Sequence, residues 1–289
     1  AIPNTDFGSK IWRTHYFVNF EPYKTAYENL KSHDTTPVVT TDPDVALAGV
    51  LNYLKANVAS PAVGSVNGEW AVLAMARGGV MTDEAKAAYL ANLDAALADG
   101  TAISKYTDYE RVTLALSALG TDASKYGASS ANLTAAYQAY VSPDKRSSEN
   151  QALMADIFAL IALNSKPYSG DQSSYVDALC SAALTDGGWN FTDDAASADV
   201  DTTAMAIQAL APYYSTNSSV KEKVDAALAW LKTKQDSASG AFMGFDGTVS
   251  TCSTAQVVTA LCAIGQDPTG AEWTVGSTNP VLGLTVYYI

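Results

Sequence analysis

Thr203–Leu210 reads TAMAIQAL, a run of small and apolar residues broken only by the Gln208 amide. A helix apolar nearly all round must be buried on every side. Four other segments align on this one: Glu69–Ala76 (EWAVLAMA), Val112–Leu119 (VTLALSAL), Asp156–Leu163 (DIFALIAL) and Thr254–Leu261 (TAQVVTAL). Their last residues fall at 76, 119, 163, 210 and 261, in steps of 43, 44, 47 and 51. Self-similarity at such a period is the mark of a repeat architecture.

The stretches between the blocks have a different character. Val45–Val58, Thr82–Ala98, Ala131–Val141, Gln172–Leu184 and Val220–Lys234 place apolar residues at i, i+3, i+4 and i+7, with polar residues opposite. Ala and Leu dominate, which favours helix over strand. Ser148, Asp201 and Ser253 read as N-caps, and Gly78, Gly120 and Gly265 as stops. Each repeat is therefore expected to be an outer amphipathic helix, a loop and an inner helix of small residues. Ala, Gly, Ser and Thr let such inner helices approach one another closely. The expected fold class is all-α, an (α/α)6 toroid of two concentric helical rings over residues 43–289. An open stack of helix pairs is the alternative, but it wants polar caps at its ends and none is evident. Closing a ring takes twelve helices. Ten are clear, Asn279–Ile289 is the eleventh candidate, and Glu21–Ser32 (EPYKTAYENLKS) is expected to close the circle from an N-terminal arm at 1–42.

Composition narrows the function. Apolar residues make up 48% of the 289, enough for a sizeable core, and the net charge is −13. A field of that sign repels phosphate backbones, so nucleic acid is set aside as a partner. No apolar run reaches the length that crosses a bilayer. The chain begins at Ala1 with no basic-then-apolar leader, and is expected to be a trimmed part of a longer multidomain protein. Cys252 and Cys262 lie ten residues apart on one predicted helix, about 15 Å along its axis, too far to bridge. At least one of the three thiols, Cys180 included, must be free within a monomer.

Two polar turns precede the last two blocks, TDGGWNF at Thr185–Phe191 and WLKTKQDSASGAF at Trp230–Phe242. The stretch from Gln235 through Gly240 to Phe242 resembles the Gln–Trp motif of squalene and hopene cyclases. DVDTTA at Asp199–Ala204 resembles the Asp-x-Asp-Asp-Thr-Ala motif of class II terpene cyclases. DVDTTAM is also similar to a repeat of the transcobalamin and intrinsic-factor family. DVDTTAMAIQALAPYY, with GGW before it and STAQVVTAL after it, resembles Gram-positive surface proteins that carry a prenyltransferase-like toroid. That likeness spans about residues 43–268. It implies the toroid, an extracellular or wall-attached location, and a ligand held at the toroid mouth. The transcobalamin likeness implies a corrinoid as that ligand.

There are departures from these families. In the cyclase motif the acid that protonates the alkene maps to Asp201, but Thr202 replaces the aspartate after it. A second helical domain and a second Asp-rich magnesium motif are not evident. The only histidines, His15 and His33, precede the repeats, so neither a prenyltransferase zinc site nor a Ser-His-Asp apparatus is expected. The favoured reading is a non-enzymatic ligand-binding or adhesion module for a small-molecule or cell-surface ligand. A cyclase using Asp201 as general acid and a structural spacer are the alternatives. No metal or resident cofactor is expected.

Aligned on the blocks, Asn67, Glu110, Met154, Asp201 and Cys252 hold one position near the start of each inner helix. Such residues would ring one mouth of a barrel. The candidate ligand-binding set is Trp70, Tyr109, Glu110, Trp189, Phe191, Asp199, Asp201, Asp246 and Cys252, aromatics beside a few polar groups. Trp189 and Phe242 also read as packing clamps between repeats, Asp201 as an N-cap, and Cys252 as a small buried or capping residue.

Overall fold

The structure, a computed structural model, describes residues 42–64, 67–100, 103–138, 152–192 and 195–285. Residues 1–41, with the arm, the Glu21–Ser32 segment and both histidines, lie outside that set, as does Ser148. The described residues all belong to one unit, Thr40–Tyr288.

All five blocks are helical. They lie in α2 (Glu69–Arg77), α4 (Tyr106–Ala118), α6 (Ala152–Asn164), α8 (Val200–Leu210) and α10 (Thr251–Ala263), with Leu119 as the cap of α4. The amphipathic stretches give α1 (Pro43–Asn57), α3 (Asp83–Asp99), α5 (Ala135–Gln138), α7 (Gln172–Ala182) and α9 (Ser218–Lys232). A short α11 (Pro280–Thr285) follows. The chain is mostly helical, as an all-α reading requires.

Helix ends follow local chemistry. Asp42, Thr82, Asp171 and Asn217 accept backbone N–H groups at the starts of α1, α3, α7 and α9. The cap of α8 is Asp199, not Asp201, and the cap of α10 is Ser250, not Ser253. Each of these helices starts earlier than its apolar block suggests, so the expected cap falls inside the first turn. The helix expected from Ala131 begins only at Ala135. Ala131 is drawn into a tight hairpin instead, exchanging backbone bonds of 2.8 and 2.9 Å with Tyr126. The helices stop where expected: Gly120 and Gly265 take positive φ after α4 and α10, and Gly78 caps α2. The one sheet among the described residues was not foreseen. It is an antiparallel pair, β1 (Phe242–Met243) and β2 (Val249–Ser250), with Phe242 opposite Ser250.

The block helices pack on one another in chain order: α2 on α4, α4 on α6, α6 on α8, α8 on α10. The series continues from α10 to α11, from α11 to α1, and from α1 back to α2. Small residues fill the helix contacts. Ala115, Ala159, Ala162, Ala204, Ala206, Ala209 and Ala260 are all buried, so the backbones can approach closely. The other helices cover this layer through Tyr89 and Leu93 of α3, Tyr175 and Leu179 of α7, and Val224, Ala227 and Leu231 of α9. No residue of α1 is buried, and Val45, Leu47, Val50 and Tyr53 are exposed.

Candidate functional site

The last two repeats share one device. The first residue of each block is a threonine, and it holds the backbone of an aromatic residue on the preceding loop. Thr203 Oγ1 accepts the Trp189 N–H at 3.0 Å and lies 3.2 Å from the Trp189 carbonyl. Thr254 Oγ1 accepts the Phe242 N–H at 2.9 Å and donates to the Ser250 carbonyl at 2.6 Å. Trp189 and Phe242 are fully buried, and Trp189 Nε1 donates to the Leu179 carbonyl at 2.8 Å. Trp189 thus has its indole N–H committed and packs as a clamp between repeats.

Gln235 performs a related task. Its Nε2 donates to the Gly240 carbonyl at 3.0 Å and to the Trp273 carbonyl at 2.8 Å. The stretch that resembles the Gln–Trp motif is therefore a structural staple here. Gly240 takes φ +77° at its centre, where a Cβ would sit 2.7 Å from the Asn279 carbonyl oxygen. Only glycine fits so close to another backbone.

Held by these clamps, the two loops carry a second pair of aromatics outward. Phe191 is 49% exposed and Phe245 81% exposed, and their rings meet edge to face at 6.2 Å. The loops leading into α8 and α10 therefore touch at the surface. Phe245 was missed in the sequence. Its signal was repeat equivalence: each buried aromatic, Trp189 or Phe242, is followed two or three residues later by a phenylalanine.

Polar atoms gather at the starts of α8 and α10. Asp199 Oδ1 accepts the Thr202 N–H at 2.8 Å, while its Oδ2 is buried with no hydrogen-bond partner. Asp201, on the first turn of α8, is half-buried, and its Oδ1 is likewise buried and unpartnered. Burial raises the Asp201 pKa, the Ser253 hydroxyl nearby pulls it back, and Asp199 adds a smaller rise. Ser253 itself is fully buried, with its hydroxyl turned to the Asp201 carboxyl but in poor hydrogen-bond geometry. Ser253 was expected only as a cap. Leaving such groups unmet costs about 1–3 kcal/mol each.

Acids recur at the other starts. Glu69 is buried and accepts the Gly64 N–H at 3.0 and 3.2 Å, with Arg111 Nε 3.7 Å away. Arg111 also pairs with Asp108 at 2.6 Å. Glu110 has no exposed surface, and both its carboxyl oxygens are unpartnered. Burial pushes its pKa well above the ordinary carboxyl range, and Asp156 on the neighbouring α6 pushes the same way, against Arg111. Asp156, missed as a site residue, is also buried.

The remaining candidates are placed as follows. Trp70 is 44% exposed on α2, and its ring lies 5.8 Å from that of Phe158 on α6. Tyr109 is half-buried, and its carbonyl accepts the Thr113 hydroxyl at 2.8 Å. Asp246 is exposed in the β1–β2 turn, where Thr248 hydrogen bonds lower its pKa. Cys252 is exposed rather than buried, because the cap falls at Ser250 and turns residue 252 outward. All three thiols are free.

Two concavities lie elsewhere. A polar cleft of about 470 Å³, lined by Asp122, Lys125, Asn132 and Lys166, lies beyond the C-terminal ends of α4 and α6. An apolar groove of about 660 Å³ is lined by Leu47 and Val50 of α1, Val258 of α10, and Val281 and Leu284 of α11. Among the described residues, no group of three or more His, Cys, Asp and Glu side chains is arranged to hold a metal ion. None of the described helices is long and apolar enough to cross a membrane. Comparison with known protein families, characterised proteins and solved structures finds no match for this chain.

Proposed function

We propose that the helix pairs close into an α/α toroid, and that this toroid is a non-enzymatic ligand-binding module of a secreted or wall-attached bacterial protein. Two observations support the ring. The succession of packed helices returns from α10 through α11 and α1 to α2. Trp70 and Phe158, on helices that both pack against α4, also meet ring to ring. In this reading α11 and α1 form the seam, where the sequence had placed Asn279–Ile289 beside Glu21–Ser32, the latter outside the described residues.

The ligand docks at the mouth formed by the starts of the inner helices. The observation that carries this is a cluster of three buried oxygens on two neighbouring helices, Asp199 Oδ2, Asp201 Oδ1 and Ser253 Oγ, in which the Ser253 hydroxyl beside Asp201 is the one nearby donor and no well-formed hydrogen bond is made. Folded proteins seldom leave such groups unmet, and a bound partner is one way to satisfy them. The exposed Phe191–Phe245 pair on the adjoining loops adds apolar surface. A cyclase reading fits less well. Burial raises the Asp201 pKa, which makes it a weaker acid, whereas alkene protonation needs a strong one. The test is a thermal-shift screen against corrinoids, haem, isoprenoids, amines and glycans. A ligand at a hundred times its Kd adds about 2.7 kcal/mol. The expected result is a shift that disappears in Asp201→Ala. A shift that survives in Asp201→Ala moves the site elsewhere, and turnover of a polyprenyl substrate abolished by Asp201→Asn installs the cyclase instead.

A further inference from the structure

We propose that the polar cleft at the C-terminal ends of α4 and α6 is a second ligand site, which holds a free α-amino acid as its zwitterion, the carboxylate on Lys125 and Lys166 and the ammonium on Asp122. The cleft lies about 20 Å along α4 and α6 from their starts, so this inference stands apart from the mouth reading.

The frame of the cleft is fixed by its own hydrogen bonds. Residues 121–125, 131–134 and 165–169 meet there. Tyr168 is buried, and its Oη accepts the Ala123 N–H at 3.1 Å and meets Ser117 Oγ at 3.0 Å. The Leu133 N–H donates to the Ala123 carbonyl at 2.9 Å. The half-buried Lys166 crosses between segments, its Nζ donating to the Thr121 carbonyl at 3.0 Å. These bonds surround a concavity of about 470 Å³, within the size range of small-molecule sites.

The charges in the cleft run against those of the chain. The protein carries −13, yet two ammonium groups and one carboxylate line this concavity. Lys125 is exposed and makes no hydrogen bond or ion pair with the described residues, and Lys166 has N–H donors to spare. Asp122 Oδ1 accepts the Ser124 N–H at 2.9 Å and the Ser124 hydroxyl at 2.7 Å, which leaves Oδ2 as an open acceptor. Those Ser124 bonds lower the Asp122 pKa, and Lys125 and Lys166 add to the effect, so the carboxyl group is ionised at neutral pH. Both lysines are thus near enough to act on Asp122, but neither pairs with it directly. Helix C-termini present negative potential. Here Lys86 Nζ on the Leu119 carbonyl, at 3.0 Å, and Lys166 on that of Thr121 offset it.

This pattern selects among ligands. A cation meets two ammonium groups. A phosphate dianion gains from the lysines and is repelled by Asp122. A neutral sugar leaves all three charges without a counter-charge. A zwitterion sets one charge of each sign against its opposite and bridges the gap between the lysines and Asp122 with charge-assisted hydrogen bonds. Asn132 supplies a further donor. Its Oδ1 accepts the Thr134 N–H at 3.1 Å and the Thr134 hydroxyl at 2.8 Å, while its amide N–H groups bond to none of the described residues.

The experiment is calorimetric titration of the full chain with each standard amino acid at low ionic strength, then with the N-acetyl derivative and the amide of the best binder, and with inorganic phosphate. Lys125 and Asp122 are both exposed, so variants at either should fold, which circular dichroism and melting temperature check. The expected result is saturable binding of at least one amino acid. Lys125→Ala should weaken it by about fivefold or more, the loss expected of one ion-pair contact at an exposed site. The amide should bind the parent protein more weakly than the free amino acid. Asp122→Asn should weaken the free amino acid but not its N-acetyl derivative, which has no ammonium to lose. Binding unchanged in Lys125→Ala, or equal for amino acid and amide, overturns the proposal. Phosphate binding tighter than that of every amino acid overturns the zwitterion. Amino-acid binding that disappears in Asp201→Ala and survives in Lys125→Ala belongs to the mouth and overturns the cleft. No binding of any amino acid overturns this site and leaves the mouth reading to its own test.

Discussion

Replacing Glu110 by methionine should make this protein more stable at neutral pH. Glu110 has no exposed surface, and neither carboxyl oxygen has a hydrogen-bond partner. Its nearest cation, Arg111, is engaged with Asp108 at 2.6 Å and faces Glu69 at 3.7 Å. A buried, unpaired polar group costs about 1–3 kcal/mol, and exchanging it for an apolar side chain of similar volume recovers that cost. For a domain of this size each kcal/mol moves the melting temperature by about 2–4 °C, so a gain near 2 kcal/mol corresponds to about 4–8 °C. The pH dependence fixes the cause. The folded state raises the pKa of Glu110, so it binds the proton more tightly than the unfolded chain does. The stability this contributes is complete below the ordinary glutamate range and is lost as pH rises through the raised value. The advantage of Glu110→Met should therefore widen as pH rises above the ordinary glutamate range. Glu110→Gln, which keeps an unmet polar group but cannot ionise, should remove the pH dependence and recover less stability. Scanning calorimetry of the three proteins at matched pH values reads these differences. A methionine variant less stable than the parent at neutral pH would refute the reasoning, for it would mean that Glu110 is ionised and held by a partner.

Thr203→Val and Thr254→Val should destabilise by similar amounts, about 1–3 kcal/mol each by urea denaturation, since each leaves a buried backbone N–H, of Trp189 or Phe242, without its acceptor. A large effect at one position and none at the other would break the repeat equivalence of the two clamps. Gly240→Ala should cost far more than Gly265→Ala in the same assay. Both take positive φ, but only at residue 240 does the added Cβ strike a backbone carbonyl, at 2.7 Å, while Gly265 faces open space. The cost at Gly265 should stay near about 1 kcal/mol. A thiol reagent should label the exposed Cys252 and Cys262 before Cys180, which is half-buried and whose thiol pKa is raised by burial. Equal rates for the three would contradict the burial described for α7.

Much of the helical scaffold was legible because its signals are local. The five blocks become helices because small, unbranched residues favour helix and because a segment without a polar face has to be covered. Both facts are written in eight consecutive residues such as TAMAIQAL. Gly120 and Gly265 end α4 and α10 for an equally local reason, the positive φ that follows a helix. Caps were harder. Asp199 and Asp201 are both good capping residues two apart, and so are Ser250 and Ser253 three apart. Sequence cannot tell which will lie outside the first turn, because that depends on where the preceding loop is anchored, here by Trp189 and Phe242.

The site was legible in part. Glu110 and Asp201 were found because the repeats align them with the starts of helices, and a helix start is a fixed place once the helix is known; Asp199 was found through the DVDTTA motif. Their significance was not in the sequence. That Glu110 and Asp201 have buried oxygens without partners, that Ser253 joins them, and that Phe191 meets Phe245 are all contacts between repeats 40 or more residues apart. Such contacts depend on how helices cross and how loops lean, and no local pattern records either. The same holds at the seam, where α11 packs on both α10 and α1. The sequence by itself determined which residues would be helix and which face of each helix would be apolar, since propensity and periodicity act over one or two turns. Tertiary structure alone decided which of those faces found a partner and which oxygens were left waiting for one, because desolvation depends on everything packed around an atom and not on its neighbours along the chain.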